Sequence, residues 1–595
     1  MKLLQRSAAA PVSGFQIPGE TIIAETLLKF LGHETINHLY SELAVKDPVT
    51  LIDSILHQLE VNIDIPDDDL KNIPSDGPFI TVSNHPFRGI DSMILCKLIK
   101  SRREDFKIIA NYLLKDINSL NDVIIPVNTF ETRQTNKSSY RGIKEGFNYL
   151  KNGHGVGIFP TGETFPHIEL SRIIIDRPWQ PSAIKFIKNS SVPVIPVYFH
   201  GTTRRLLSLI SNVSPLSRSS ELPSELKNKK GRTVKIRIGS PLTIKEQACF
   251  SDPGLYGQYL RARTYALGTS FEKGRRVKMS RSNTKVSAEP LADPRPSVLL
   301  IEEYESIRQE YELFSTKNYS VVCAPVDKVP EIFQEIGRLR EKTFRLVGEG
   351  TNKSLDIDRY DLYFDHLFIW DTDENRIVGA YRIGRGDNII KVYGNKGFYI
   401  NSLFRLKKSF TPFLSRSIEL GRSFITTEYQ KKAIPLFLLW KGIMVFMLQH
   451  PEYQYLIGPV SITNDFSKFS KTLIVEFVKK YFFDMELSGF ITPRKQFVVK
   501  NDRVINRKVF IDTSESDINK IEKIIMDIQP GYRLPVLLKK YLEINGRIIG
   551  FNIDPDFNYC LDGLLILDIN NVPQDFIKGL SKELKDPAMI GPTEK

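Results

Sequence analysis

Cysteine is scarce in this chain: four in 595 residues, at Cys96, Cys249, Cys323 and Cys560, with no CxxC pair among them. Such spacing argues against a disulfide framework or a zinc cluster and fits a reducing compartment. Long apolar runs are missing as well. No stretch reaches the roughly 18 uninterrupted apolar residues that a spanning helix requires, so no transmembrane segment is expected. The best candidate, "IPLFLLWKGIMVFML" (434–448), carries Lys441 and reads as a buried or interfacial helix. The opening "MKLLQRSAAAPVSGF" has a basic start but lacks an apolar core long enough for a secretory leader, and none is expected.

Acidic charge is in deficit. The formal net charge is +13, and it is uneven. Residues 261–285 hold eight basic side chains (Arg261, Arg263, Lys273, Arg275, Arg276, Lys278, Arg281, Lys285) against one acid, Glu272. Acidic partners follow from this, among them anionic lipid headgroups and acidic carrier proteins; a solvated basic tail is the alternative. No nucleic-acid partner is expected, because no recognised binding motif accompanies the charge.

At 595 residues the chain is too long for one core, although its 41% apolar content can build large ones. The serine- and proline-rich "SRSNTKVSAEPLADPRPS" (280–297) is its best linker. The expected division is 1–282, a linker over 283–297, and 298–595. The first part opens on helical patterns, "ETLLKFLGHETINHLYSEL" and "DPVTLIDSILHQL". Short apolar runs then alternate with helices: "PFITV", "FKIIA", "DVIIPV", "GVGIFP", "VPVIPVYF", "VKIRIG". A capped amphipathic helix is expected between Ser138 and Gly153. This alternation predicts an α/β domain with a mixed or largely parallel sheet. The second part suggests another α/β domain with an antiparallel component, through "HLFIWDTDENRIVGAYRIG", "SIELGRSFI", "YLIGPVSI", "KQFVV" and "KVFID".

Within "SNHPFRGID" (83–91), His85 and Asp91 would be about 240° apart on a helix and could not meet. Pro86 and Gly89 favour a loop, with a helix starting near Asp91. Such a loop would let Asp91 hold the imidazole Nδ1–H and leave Nε2 to accept a hydroxyl proton. The spacing alone is equally that of a polar turn closing a strand. "IPVNTFETR" (125–133), "GIFPTGE" (157–163) and "VPVIPVYFHG" (192–201) also place polar groups at strand carboxyl ends, where α/β sheets gather functional residues.

The order NHP…D, PVN, FPTGE, VPVIPV resembles the four blocks of PlsC-type glycerolipid acyltransferases, and more closely the subgroup labelled hemolysin-like, over roughly residues 25–250. The resemblance implies that His85 deprotonates an acceptor hydroxyl that attacks an acyl thioester, with Asp91 orienting it. It implies that Gly162 and Glu163 help seat the acceptor, and it makes Arg133 a candidate acceptor-binding residue. Arg88 stands where the subgroup has the first of two glycines, adding charge at the mouth.

In the second part "RIGRGD" (382–387) reads as a glycine loop for phosphate or as a hairpin turn; no helix is expected behind it, which favours the turn. On a regular strand, "ELGRSFI" (419–425) puts Glu419, Gly421 and Ser423 on one face and Leu420, Arg422 and Phe424 on the other. The blocks "FRLVGEG", "DIDRYDLYFDHLFIWD", "IVGAYRIG", "ELGRSFI", "LLWKGI" and "LIGPVSI" resemble GNAT-related N-acyltransferases that begin ornithine lipid synthesis, over about residues 320–570. This implies transfer of a 3-hydroxyacyl chain from acyl carrier protein to an α-amine, with Glu419 as base or amine-binding group. Arg345, Asp361, His366, Arg382 and Arg422 are the other polar positions in these blocks; Arg382 and Arg422 are expected to bind substrate.

Together the two resemblances describe a bifunctional ornithine lipid synthase, an α/β protein with a PlsC-like fold followed by a GNAT-like fold. They imply acyl carrier protein, or coenzyme A, as carrier of the donor acyl group, no bound cofactor or metal, amino-acid and lyso-aminolipid substrates, and a cytoplasmic protein peripheral to the inner membrane. A glycine- or serine-directed synthase and a lysophosphatidate acyltransferase with an accessory carrier-binding domain are the alternatives.

Overall fold

The computed structural model describes residues 48–58, 61–87, 90–111, 122–127, 136–161, 167–168, 174–176, 178–200, 233–271, 288–499 and 505–582. The chain divides into two compact units. Unit 1 comprises Met1–Lys273, Asp502–Thr513 and Met526–Pro530; unit 2 comprises Gly274–Asn501, Ser514–Ile525 and Gly531–Lys595.

Unit 1 is built on strands β1 (Asn62–Asp64), β2 (Phe79–Ser83), β3 (Lys107–Asn111), β4 (Ile124–Val127), β5 (Gly155–Ile158), β8 (Val194–His200) and β9 (Thr233–Ile238), with β6 (His167–Ile168) and β7 (Ile174–Ile175) pairing apart. The sheet order is β1-β9-β8-β2-β5-β3-β4, and every pair is parallel except β8–β9. All five residues of the central strand β2 are buried, as a parallel strand covered on both faces requires. Helices α1 (Pro48–Gln58), α2 (Ile90–Lys100), α3 (Asn136–Lys151), α4 (Pro181–Ser190) and α5 (Pro253–Leu267) accompany it. Phe79, Phe87, Ile94, Leu95 and Phe106 are fully buried in the core that seats α2. The leading pattern "ETLLKFLGHETINHLYSEL" lies outside the described residues.

The segment "KVFID" differs from the strand suggested for it. It forms a helix, Arg507–Ser514, whose Phe510 packs edge-on against Tyr259 of α5 inside unit 1, with ring centroids 5.7 Å apart. A four- or five-residue apolar run does not by itself separate strand from buried helix. Residues 526–530 are also part of unit 1. Asp527 pairs with the buried Arg263, and Arg237 donates to the carbonyls of Asp527 and Ile528 while pairing with Asp69 at 2.7 Å.

Unit 2 has an eight-stranded sheet in the order β10-β11-β12-β13-β15-β16-β19-β18. These are Glu312–Thr316, Tyr319–Pro325, Asp365–Asp371, Arg376–Arg385, Ser417–Ile425, Tyr455–Ile462, Cys560–Asp568 and Arg547–Asp554; β14 (Phe404–Leu406) and β17 (Ile491–Pro493) pair separately. All ladders are antiparallel except β15–β16, which runs for three pairs only and ends at Glu419↔Ile457. Helices α6 (Ser297–Tyr311) and α7 (Pro330–Leu346) cover Phe368, Trp370 and Phe424, and a second cluster buries Phe364, Phe398 and Leu564. The apolar run at 434–448 is helix α8 (Ala433–Gln449), with Leu439 and Ile443 fully buried and Lys441 itself 1% exposed.

Two local expectations are overturned here. Behind "RIGRGD" a helix does follow, Gly386–Tyr393, and the carbonyl of Leu414 occupies the place of a β-carbon on Gly386, so this glycine serves close packing. In β15 the regular alternation fails. Arg382 faces Gly421 and Ala380 faces Phe424, so Arg422 and Ser423 together oppose Tyr381 as a bulge, with Arg422 at φ +50°.

Candidate functional sites

In unit 1 the chain leaves β2 at Ser83 and turns into α2 at Ile90. Asn84 clips this turn to β8, donating to the Phe199 carbonyl at 2.8 Å and accepting the Phe199 N–H at 2.7 Å. His85 follows, 9% exposed, with its ring 4.5 Å from that of Phe159 at the end of β5. Asp91, in the first turn of α2 and fully buried, sets one oxygen 2.9 Å from His85 Nδ1, while the other accepts the Phe87 N–H at 2.9 Å. The carboxylate thus holds both the imidazole and the loop that carries it. Nε2 is the ring nitrogen left for other work.

A residue that the sequence did not signal completes this arrangement. Asp176 accepts the backbone N–H of His85 at 3.0 Å, and its own N–H donates to the Tyr265 hydroxyl at 2.8 Å. It stands in "IIIDRPW" with no motif around it, 91 positions from His85. Burial opposes a charge on His85, but Asp91, with help from Asp176, outweighs it and raises its pKa above the ordinary 6.5. Burial raises the carboxyl of Asp176 too, against the His85 N–H. Arg88, Arg133, Gly162 and Glu163 lie outside the described residues. So does the basic stretch beyond Phe271. Its first two members are engaged within unit 1: Arg261 donates to the Asp176 carbonyl at 3.1 Å, and Arg263 pairs with Asp527.

In unit 2 the bulge turns Arg422 toward the side occupied by Arg382. Arg422 lies 3.3 Å from Asp356 and 3.6 Å from Asp358; Arg382 lies 2.7 Å from Asp358 and 3.2 Å from Asp361; Arg340 of α7 lies 2.9 Å from Asp361. Three guanidinium groups and three carboxylates form one network, buried at Arg340, Arg382, Asp356 and Asp361 and partly exposed at Asp358 and Arg422. Despite burial, Arg340 and Arg382 hold the Asp361 carboxyl well below the usual range. The alternation missed the bulge because the residue at positive φ is Arg422; the adjacent Gly421, a glycine inside a strand pattern, was the signal that could have found it. A non-glycine residue at positive φ in a sheet interior is strained, and such strain gathers at functional positions.

His366 presents Nε2 3.3 Å from the Asp361 carbonyl, and burial pushes it down to about 4, against Asp361 and with Arg340. Glu419 is 1% exposed and accepts the N–H groups of Tyr399 and Ile400 at 2.9 and 2.7 Å. Burial raises it to about 7, against those two donors. Arg345 stands apart from the network, paired with Glu341 at 2.6 Å.

Beyond Glu419↔Ile457 the two parallel strands no longer pair, and a cavity of about 320 Å³ lies where they part. Leu420–Ser423 and Leu456–Ser461 line it from the two strands, joined by Glu349, Arg382, Tyr399, Asp554 and Asp562. Glu419 is not among the lining residues; its carboxylate accepts the backbone N–H of Tyr399, which is. Glu349 and Asp562 were not singled out by any sequence pattern. Burial, with Asp562 beside it, raises Glu349 to about 7.

The chain matches an acyltransferase family over residues 7–274 and an acetyltransferase (GNAT) domain family over residues 339–440. It is 28% identical to a glycine N(alpha)-acyltransferase of Phocaeicola vulgatus over 260 residues, 41% of this chain and 78% of that protein. A lyso-glycine lipid O-acyltransferase of Bacteroides thetaiotaomicron is 22% identical over 257 residues, 41% of this chain and 89% of the relative. An L-ornithine N(alpha)-acyltransferase of Brucella abortus is 35% identical over 123 residues, 20% of this chain and 41% of the relative. The chain is an acyltransferase, with an acyltransferase-family domain ahead of a GNAT domain.

Proposed function

We propose that this two-domain acyltransferase makes a diacylated aminolipid in two successive steps. The GNAT domain joins a 3-hydroxyacyl chain to an amino acid's α-amine, and the PlsC-like domain then acylates the 3-hydroxyl. One observation carries the reading: a buried His85–Asp91 pair and a cavity between parted strands occur in a single chain, so the hydroxyl that the first needs is on the product of the second.

In the N-acyl step the open strand edges of β15 and β16 suit an extended donor with amide groups, such as the pantetheine arm of an acyl carrier. Arg382 and Arg422 suit the amino acid's carboxylate. The amine must be neutral to attack; Glu349, held near 7, is the lining group suited to take its proton. The C–N bond forms, the C–S bond breaks, and the proton goes to the departing thiolate. In the O-acyl step His85 Nε2 removes the hydroxyl proton and the oxygen attacks a second thioester. The C–O bond forms as the C–S bond breaks, and the imidazolium, held meanwhile by Asp91, returns its proton to the departing thiolate.

No helix among the described residues is long and apolar enough to cross a membrane. A lipid product and the basic residues of the 261–285 stretch support peripheral binding to an anionic inner-membrane surface, or docking of an acidic acyl carrier protein. The relatives are named for glycine and for ornithine, and both amino acids are open at this level. The test is expression of the full chain in a host without aminolipids, followed by lipid mass spectrometry. His85→Ala is expected to accumulate the mono-acyl amide; fully diacylated product in that variant would sink the assignment.

A further inference from the structure

One face of unit 2 is used by neither reaction. Residues 388–418 carry six basic side chains and no acid, and all six are exposed. The stretch begins in the helix Gly386–Tyr393 and runs into β15, which starts at Ser417. Ile389 of that helix is 2% exposed, but Val392 and Tyr393 are 67% and 48% exposed. Tyr393 meets Tyr363, ring centroids 4.3 Å apart, and the Tyr363 hydroxyl donates to the Gly397 carbonyl at 2.7 Å. These contacts hold the short turn Arg359–Leu362 beside the helix, and its Leu362 is 64% exposed. Asn395 donates to the Lys407 carbonyl at 3.4 Å, which brings Lys407 and Lys408 close to Lys396.

Three large apolar side chains thus stand in water among exposed cations. Lys391, Lys396, Lys407 and Lys408 have no ion-pair partner among the described residues. The neighbouring acids are engaged elsewhere, Asp358 with Arg382 at 2.7 Å and Asp387 by the Tyr453 hydroxyl. A face of this kind suits a partner that is both apolar and anionic. A bilayer with anionic headgroups is such a partner, and it takes in protruding side chains without a matching groove. The position also favours a bilayer over an acidic carrier protein. Tyr363 meets Tyr360 at 6.3 Å and Tyr360 meets Tyr399 at 5.5 Å, so four rings lead from the patch to the cavity wall. Tyr399 is held by Glu419, in the last paired rung of β15 and β16. The face therefore borders the closed end of the cavity, whereas a carrier's arm needs the open one.

Resting on the lipid product proposed above, we propose that Leu362, Val392 and Tyr393, flanked by Arg359 and the four lysines, form a membrane-docking face of unit 2. The apolar side chains enter the boundary between headgroups and acyl chains, and the cations lie against anionic headgroups. The single-chain amide then leaves the cavity beside the phase that dissolves its tail. This contact is distinct from the basic stretch 261–285.

The test uses the full chain carrying Tyr393→Trp. The three native tryptophans, Trp179, Trp370 and Trp440, are all buried, so this substitution adds an exposed reporter. With vesicles of equal parts phosphatidylglycerol and phosphatidylcholine, its emission is expected to shift to the blue and to be quenched by brominated acyl chains. Lys391→Gln with Lys396→Gln, and separately Leu362→Ser with Val392→Ser, are each expected to weaken vesicle binding roughly 10- to 30-fold. Acyl-amide formation from soluble substrates is expected to persist in both pairs, which reports an intact fold. An unshifted, unquenched Tyr393→Trp, or vesicle binding unchanged in both pairs, would overturn the proposal. So would weakened binding of an acidic acyl carrier protein in those pairs with vesicle binding intact. Quenching that the paired substitutions abolish, without acyl amide from any amino acid in the unsubstituted chain, would support the face and overturn the N-acyltransfer reading.

Discussion

Asp91 stands 2.9 Å from the Nδ1 of His85 although they lie six positions apart in the chain, because the turn between β2 and α2 folds the helix's first carboxylate back onto the imidazole. The contact selects the tautomer and stabilises the charged ring, two effects that one substitution removes together.

Asp91→Asn is therefore expected to lower O-acylation of a supplied N-(3-hydroxyacyl) amino acid by roughly 10²- to 10³-fold. It also moves the pH dependence in a fixed direction. His85 works as the neutral base, and its pKa is raised above 6.5, so activity falls as pH drops through that raised value. Without the Asp91 charge the neutral ring is favoured, and the acid limb of kcat/KM shifts to lower pH. A limb that moves upward or stays in place would contradict Asp91 as the dominant influence.

Arg422 tests the bulge. Arg422→Lys keeps the positive charge but replaces a planar group that spans Asp356 and Asp358 with a single ammonium. The expected result is a drop of about 10- to 100-fold in kcat/KM for N-acylation, with O-acylation of supplied hydroxyacyl amide retained. Assaying the two half-reactions separately checks this; equal loss of both would indicate general damage to the fold.

His366 gives a stability prediction. The unfolded chain takes up a proton on this residue near 6.5, the buried ring only near 4. Between those values the unfolded state binds more protons, so the contribution of His366 is complete above 6.5 and is lost as pH falls toward 4. Its limit is on the order of 3 kcal/mol. Urea unfolding at pH 7.5 and 5.0 should show a smaller loss of stability on acidification for His366→Phe than for wild type. An identical loss would exclude His366 as a contributor.

Much of this was legible in the residues themselves. Six apolar runs of the first half are strands at the places read, because a parallel strand buried on both faces leaves an uninterrupted apolar signature. The hairpin through "DTDEN" and the strand "SIELGRSFI" were equally plain. What escaped is non-local. Asp176 reaches His85 from 91 residues away, and nothing in its own neighbourhood marks it. The cavity exists because β15 and β16 stop pairing after three residues, which is a property of how the sheet closes and of neither strand's composition. The turn of Arg422 came from one backbone angle that an arginine adopts reluctantly and only its partners hold.

The return of residues 502–513 and 526–530 to unit 1 has a practical meaning for anyone wishing to study one reaction without the other. A cut at the serine- and proline-rich linker discards Asp527, so Arg263 keeps its buried charge and loses its counter-charge, and Arg237 loses two carbonyl acceptors. An arginine stranded in that way costs about 3–5 kcal/mol, a large share of what holds a domain of this size together. The two catalytic halves are thus distinct in chemistry and inseparable by scissors. They are to be silenced one side chain at a time, in the intact chain.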